Sequence, residues 1–159
     1  MLPLFVKLLH VVTALMFVGG LIGRTLIMWQ ASKMTDVKMV REAVRLAGYF
    51  ERWLVIPGSL AVLGFGLITA WVQNWNILGS HSSWLLLSTA LYLSMIPLIK
   101  VVFLPRGKVF AAALEEAEAQ GTVTPRLTAA FHDQAVRLAH RYEWATTVMI
   151  TLLMVMKPF

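Results

Sequence analysis

The sequence predicts an all-α integral membrane protein: a four-helix bundle with cytoplasmic amphipathic helix extensions. Of its 159 residues, 58% are hydrophobic and 14% are charged, whereas soluble domains carry about 25% charged residues. No Asp, Glu, Lys or Arg occurs in the 47 residues between Arg52 and Lys100. At about 1.5 Å of rise per residue, this stretch can cross a hydrocarbon core of about 30 Å twice. The absence of cysteine excludes a disulfide scaffold, Cys-ligated metal clusters and thiolate catalysis.

Four apolar stretches are the predicted membrane spans of a single domain. They cover residues 2–27, 53–73, 83–104 and 142–157. The first is expected to be a retained helix rather than a cleaved signal peptide, because it is long and no Ala-x-Ala site follows it. An uncharged turn rich in Asn, Gly and Ser, between 74 and 83, is expected to join the second and third spans.

Lysine and arginine are concentrated in the two longer connecting segments, 31–49 and 105–141. By the positive-inside rule both segments are cytoplasmic, so the N- and C-termini are expected outside the cytoplasmic (inner) membrane. The same rule explains the net charge of +6, so no nucleic-acid partner is expected. Tryptophans near the outer ends of the second and third spans are expected to form an aromatic belt: Trp71, Trp75 and Trp84.

The cytoplasmic segments are predicted to extend the spans as helices. Thr35 and Asp36 can cap a helix whose apolar positions recur at helical spacing and that leads into the second span. An amphipathic helix is predicted over 107–120, and Gly121 is expected to end it. A further helix from Arg126 is expected to run directly into the fourth span.

Ionisable side chains inside a membrane are costly, so His10 in the first span is the main candidate for function. On a helix, Lys7, His10 and Arg24 fall on one side. A neutral imidazole can bind haem iron or another metal. The alternative is a structural histidine that is hydrogen-bonded to a hydroxyl such as Ser88 or Thr151.

Glycines and a methionine add to this site. Gly19, Gly20 and Gly23 allow the close approach of either a neighbouring helix or a flat cofactor. Met154 lies three residues before Lys157, as His10 lies three after a lysine, so the two have a similar depth if their helices run in opposite directions. This depth permits a His/Met axial pair or a soft copper contact.

Charged residues also cluster near the predicted cytoplasmic boundary. They are expected either to form ion pairs and contact lipid headgroups or to clamp an acidic ligand. The cluster comprises Arg24, Glu51, Arg52, Lys100, Arg106, His140, Arg141 and Glu143. No residue is assigned a catalytic role.

Short motifs along the whole chain resemble a known group of membrane proteins. Residues 7–10 (Lys-Leu-Leu-His), then Gly19-Gly20-Leu21 and Arg24, resemble the opening of HemJ-type protoporphyrinogen oxidases. The likeness is closer to a related family of small integral membrane proteins of unknown function, and more distant to CopD-type copper-resistance domains. Residues 51–54 (Glu-Arg-Trp-Leu) and 156–159 (Met-Lys-Pro-Phe) fit the same pattern.

The resemblance implies a four-helix protein that binds haem b through His10. On this hypothesis Lys7 or Arg24 would lie near the propionates, and the depth of Met154 makes it a further candidate. A catalytic member would oxidise a porphyrinogen-like substrate and pass electrons to quinone. Ser88 stands where HemJ-type enzymes have a lysine, which favours the relatives of unknown function. The alternatives are a non-catalytic subunit of a respiratory or similar complex and a copper-handling membrane protein; self-association as a homo-oligomer is compatible with each.

Overall fold

The computed structural model describes residues 1–75 and 83–158, and all regular structure in these ranges is helical. The three longest helices are α1 (Leu2–Ala31), α2 (Val37–Val72) and α3 (Ser83–Gln120). A short helix α4 (Pro125–Phe131) and a long helix α5 (Gln134–Met156) follow. The predicted all-α class is confirmed. The expected uncharged turn falls largely on residues 76–82, outside the described residues.

Three of the four predicted spans meet the requirements of length and composition for crossing a membrane. They lie in α1, α2 and α3. The apolar part of α5 begins after Glu143 and runs for 13 residues to Met156, which corresponds to about 20 Å of helix. Helix α5 is therefore not among the candidate spans, and the crossing of the membrane by residues 142–157 stays a prediction.

The helix ends follow the expected capping chemistry, with one exception. The Asp36 carboxylate accepts from the backbone N–H of Lys38 at 2.8 Å, and α2 continues from this cap into its apolar part. Gly121 ends α3 in the left-handed conformation, with φ of 69°. The expected direct passage from Arg126 into the last helix is wrong, because the Asp133 side chain caps a new helix at α5.

The chain divides into two helical units, Met1–Asn76 and Ile77–Phe159. In the second unit, α3 packs along α5, and the C-terminal part of α3 packs on α4. Leu127 of α4 is fully buried, and the rings of Phe110 and Phe131 meet edge to face with centroids 4.9 Å apart. The predicted amphipathic segment thus forms a small helical hairpin with α4.

In the first unit, glycines allow the backbones of α1 and α2 to approach closely. A Cβ atom at Gly58 would lie 2.9 Å from the backbone nitrogen of Phe17, and one at Gly20 would lie 3.1 Å from that of Val55. A Cβ at Gly23 would overlap a phenylalanine ring of α2. Small residues at helix interfaces are a common basis of packing in membranes. The space at positions 20 and 23 is therefore filled by the neighbouring helix and not by a flat cofactor.

Both α2 and α3 contain a π-helical turn, Glu51–Val55 in the first case and Ile99–Phe103 in the second. A proline follows each turn two residues later, Pro57 or Pro105. Proline lacks an N–H and its ring crowds the carbonyl four residues earlier, which falls inside the π turn in both helices. The backbone widens at each π turn, and the helix continues on both sides of it. Helix α2 thereby runs into the charge-free stretch and α3 runs out of it.

The aromatic belt is only partly as predicted. Trp71 is 79% exposed, as a residue at a membrane interface should be, but Trp84 is 4% exposed. In the second unit, the Lys157 Nζ atom lies 5.5 Å from the centroid of the Trp84 ring, and a cation near the ring face is attracted to the indole. Because it is buried, Trp84 is better described as a packing residue.

Candidate functional site around His10

His10 lies on α1, and its ring points toward α2 within the first unit. The Nδ1 atom is 2.9 Å from the carbonyl oxygen of Val62. A carbonyl oxygen can only accept a hydrogen bond, so a neutral ring carries its proton on Nδ1 and donates it to Val62. The Nε2 atom then presents a lone pair, and it has no hydrogen-bond partner within residues 1–75 of the first unit.

The hydroxyl partners predicted for His10 belong to the second unit. Ser88 donates to the carbonyl oxygen of Trp84 at 2.7 Å, and Thr151 donates to that of Thr147 at 2.9 Å. Each hydroxyl proton is thus used within its own helix by the carbonyl four residues earlier. Within the first unit, the partner of His10 is a backbone carbonyl of the neighbouring helix, and a bond to either hydroxyl stays a prediction.

Gly66 allows the imidazole ring to reach that carbonyl. A Cβ atom at Gly66 would lie 3.1 Å from Cε1 and 3.3 Å from Nδ1 of His10. Because helical side chains lean toward the N-terminus, a residue at position 66 would cover the carbonyl of Val62, one turn earlier. Gly64, by contrast, has no atom within 4 Å of the place where its Cβ would be.

The side chains available suit a haem iron better than a bare metal ion. Within the described part of the chain, no group of three or more His, Cys, Asp and Glu residues is placed to hold a metal ion. Haem iron needs only one or two side-chain ligands, since the porphyrin supplies the others. Histidine ligands of metals usually donate their second ring N–H to a carbonyl or carboxylate, as His10 does to Val62.

The two cations proposed beside His10 lie in different surroundings. Lys7 is exposed and precedes His10 by three residues, about 4.5 Å along the helix. Arg24 is 14 residues away, or about 21 Å. Its Nη1 atom forms an ion pair with Oε2 of Glu51 at 2.5 Å, and its side chain is only 14% exposed. Arg24 therefore joins α1 to the π turn of α2, far along the helix from His10.

A second polar cluster lies in the other unit. The Nδ1 atom of His140 is 3.0 Å from Oε2 of Glu143, whose side chain is 12% exposed, and the ring of Phe103 lies against the imidazole at 4.8 Å. Nearby in sequence, Arg106 pairs with Asp133 at 3.0 Å. Within the predicted cluster, Arg24 and Glu51 form an ion pair, whereas the partner of Arg106 is a residue outside the cluster. A clamp for an acidic ligand stays a prediction.

Met154 lies half-buried on α5 of the second unit. A thioether is a soft ligand for haem iron or copper, and it is also a common filler of apolar packing. The pairing of Met154 with His10 stays a prediction.

Long apolar helices joined by glycine contacts, with a single histidine facing the neighbouring helix in the first unit, define a helical integral membrane protein. The chain belongs to the family described as predicted integral membrane protein (DUF2269), which matches residues 4–158. No curated protein and no solved structure gave a match. The prediction of an uncharacterised membrane family is thereby confirmed, and the relation to HemJ-type and CopD-type proteins stays a proposal.

Proposed function

We propose that this membrane protein binds haem b through the Nε2 atom of His10 and has a redox role. The observation that carries the proposal is the hydrogen bond from Nδ1 to the carbonyl of Val62, which leaves the other ring nitrogen as a lone-pair donor. A free imidazole interconverts between tautomers and rotates, whereas this one is held in the form that a metal requires.

The chain's own residues would orient the ligand and tune it. The Val62 carbonyl fixes the ring and increases the basicity of Nε2, while Gly66 leaves room for both. Lys7 is the cation that we assign to a propionate, since it lies one turn from His10 on the same side of α1. Arg24 is assigned to its ion pair with Glu51. The haem itself would supply one-electron chemistry.

An absorption spectrum with and without dithionite tests this proposal on the purified full-length protein. The wild type is expected to show a Soret band that shifts on reduction, and His10→Ala is expected to lose it because the axial ligand is removed. His132→Ala is the matched control, since His132 is exposed and its Nδ1 contacts the carbonyl of Thr128 in its own helix. A Soret band that survives His10→Ala unchanged would contradict the assignment.

A wild-type protein without a Soret band after expression with haem supplied would overturn the proposal. The sequence alternatives then give different results. Copper handling through His10 and methionines predicts stoichiometric Cu(I) binding that His10→Ala weakens. A non-catalytic subunit of a larger complex predicts a colourless protein that purifies together with defined partners.

We further propose that α5 also crosses the cytoplasmic membrane, so that both termini lie outside. The supporting observation is the placement of Lys and Arg in 31–49 and 105–141, with none in the intervening connection. The short apolar part of α5 can be accommodated by local thinning of the bilayer.

Single cysteines test this topology cleanly because the chain has no native cysteine. In right-side-out vesicles, a membrane-impermeant maleimide is expected to label Pro158→Cys directly and Gln120→Cys only after permeabilisation. The two positions flank α5, so labelling of both from the same side would show that α5 does not cross.

A further inference from the structure

The N-terminal part of α2 carries positive charge along one exposed face. Lys38, Arg41, Arg45 and Arg52 are all exposed, and their spacings of three, four and seven residues place them within about 60° around the helix axis. These four residues are called the cationic stripe. The stripe ends at Arg52, directly before the charge-free stretch begins.

Within α2 and its cap, acidic residues are fewer than cations. Glu51 directs its carboxylate across the interface to Arg24, away from the stripe. Asp36 caps the first turn of α2. On the exposed face of α2 itself, Glu42 accepts from the guanidinium of Arg45 at 2.7 and 2.9 Å. The stripe therefore has more cations than the acids of its own helix.

Exposed aromatic side chains place one end of the stripe at the level of lipid headgroups. Trp53 and Tyr49 are exposed on α2, and Trp29 is exposed on α1. Tryptophan and tyrosine concentrate at the membrane interface, with the ring in the apolar part and the polar atom in the headgroup layer. Residues 45–53 are thus at headgroup depth, and they include Arg45 and Arg52.

The remaining two cations are close enough to act on the same surface. Arg41 and Lys38 lie about 6 and 10.5 Å beyond Arg45 along the helix. These distances are comparable to the Debye length of about 8 Å at physiological ionic strength. Basic residues next to a membrane span attract anionic lipids over about one Debye length from the membrane surface.

We propose that the cationic stripe binds the headgroups of anionic phospholipids. The attachment of the stripe to a candidate span and its exposed aromatic neighbours favour a lipid over a soluble acidic protein or a nucleic acid. The proposal requires only that α2 is embedded in a membrane. It is independent of haem binding and of the side on which the termini lie.

Titration with brominated lipids tests the stripe on the full-length protein in a neutral detergent. Brominated phosphatidylglycerol quenches tryptophan fluorescence when it binds beside Trp29 and Trp53, and brominated phosphatidylcholine is the neutral reference. The wild type is expected to bind phosphatidylglycerol more tightly. Arg45→Gln is expected to weaken this binding about five-fold at low salt, which corresponds to the loss of about 1 kcal/mol for one cation near the surface.

Three control variants and added salt test whether the stripe, and not net charge, determines binding. Glu42→Gln should strengthen binding because it removes an acid from this face, and Arg45→Lys should leave binding near the wild-type value. Arg126→Gln changes net charge equally but lies on α4, in an ion pair with Glu116, and it should have no effect. Sodium chloride at 0.5 M should abolish the preference for phosphatidylglycerol.

Several outcomes would overturn the proposal. They are equal affinity for the two lipids in the wild type, an effect of Arg126→Gln as large as that of Arg45→Gln, or full competition by inorganic phosphate, which would indicate a site for the free ion. Preferential capture of a soluble protein or RNA with no lipid preference would have the same meaning. If Arg45→Gln aggregates, Glu42→Gln decides, and unchanged or weaker binding by that variant contradicts the stripe.

Discussion

Gly58→Leu is expected to disrupt the packing of α1 against α2. A Cβ atom at this position would lie 2.9 Å from the backbone nitrogen of Phe17, and backbone cannot rotate away as a side chain can. Overpacked interiors usually lose about 1–3 kcal/mol, and we expect the upper end of this range because the helices must separate. The measurement is the midpoint of unfolding in mixed detergent and sodium dodecyl sulfate, followed by tryptophan fluorescence.

Gly64→Leu is the matched control on the same helix. No atom lies within 4 Å of a Cβ at Gly64. Glycine inside a helix destabilises it by about 0.5–1 kcal/mol relative to alanine, and leucine does not carry this cost. This variant should therefore be as stable as the wild type or slightly more stable. Equal loss of stability in the two variants would show that the close contact at Gly58 does not hold the helices together.

Gly66→Val is expected to displace the imidazole ring of His10 while α1 and α2 stay packed. The added Cβ would lie 3.1 Å from Cε1 of His10, and the two methyl groups would cover the carbonyl of Val62. Loss of an outer partner of a metal-ligating histidine typically weakens metal binding about 10–100-fold. The expected result is a fall of this size in haem affinity, measured by titration of the haem-free protein.

Gly64→Val controls for valine in the same helix two residues away, and it should bind haem as the wild type does. The hydrogen bond from His10 to Val62 contributes about 1 kcal/mol, so the unfolding midpoint of Gly66→Val should change only modestly. If haem affinity is unchanged in Gly66→Val but lost in His10→Ala, His10 is the ligand and Gly66 and Val62 do not position it. If neither variant loses haem affinity, His10 is not the ligand.

Much of the helical structure could be predicted from local patterns. The charge-free stretch after Arg52 predicted long apolar helices because charged side chains are costly in hydrocarbon. Asp36 and Gly121 marked a helix start and a helix end, since one supplies an acceptor to free N–H groups and the other adopts a left-handed conformation without strain. These features depend on a few neighbouring residues and on the solvent.

Other features were missed although the sequence contains a signal for them. Pro57 and Pro105 each follow a π turn, and the effect of proline on the carbonyl four residues earlier explains this position. The break before Asp133 has the same capping logic as that at Asp36. The π turns and this break were missed because apolar residues recur at helical spacing on both sides of each, which predicts an uninterrupted helix.

The partners of side chains between helices could not be predicted in this way. The sequence offered His10 as a metal ligand or as a partner of a hydroxyl, and it gave no sign of the carbonyl that glycine at position 66 leaves uncovered for it. Gly58 and Gly64 are equivalent in the sequence pattern, yet only the first touches another backbone.

The sequence by itself determined that this is a helical membrane protein, where several of its helices begin and end, and that one histidine lies in its first span. Only the tertiary structure decided which glycines join the helices and which ring nitrogen of His10 remains available. The physical reason is distance. Charge and hydropathy act on each segment separately, whereas these contacts exist only because one antiparallel register of α1 and α2 brings particular atoms within about 3 Å.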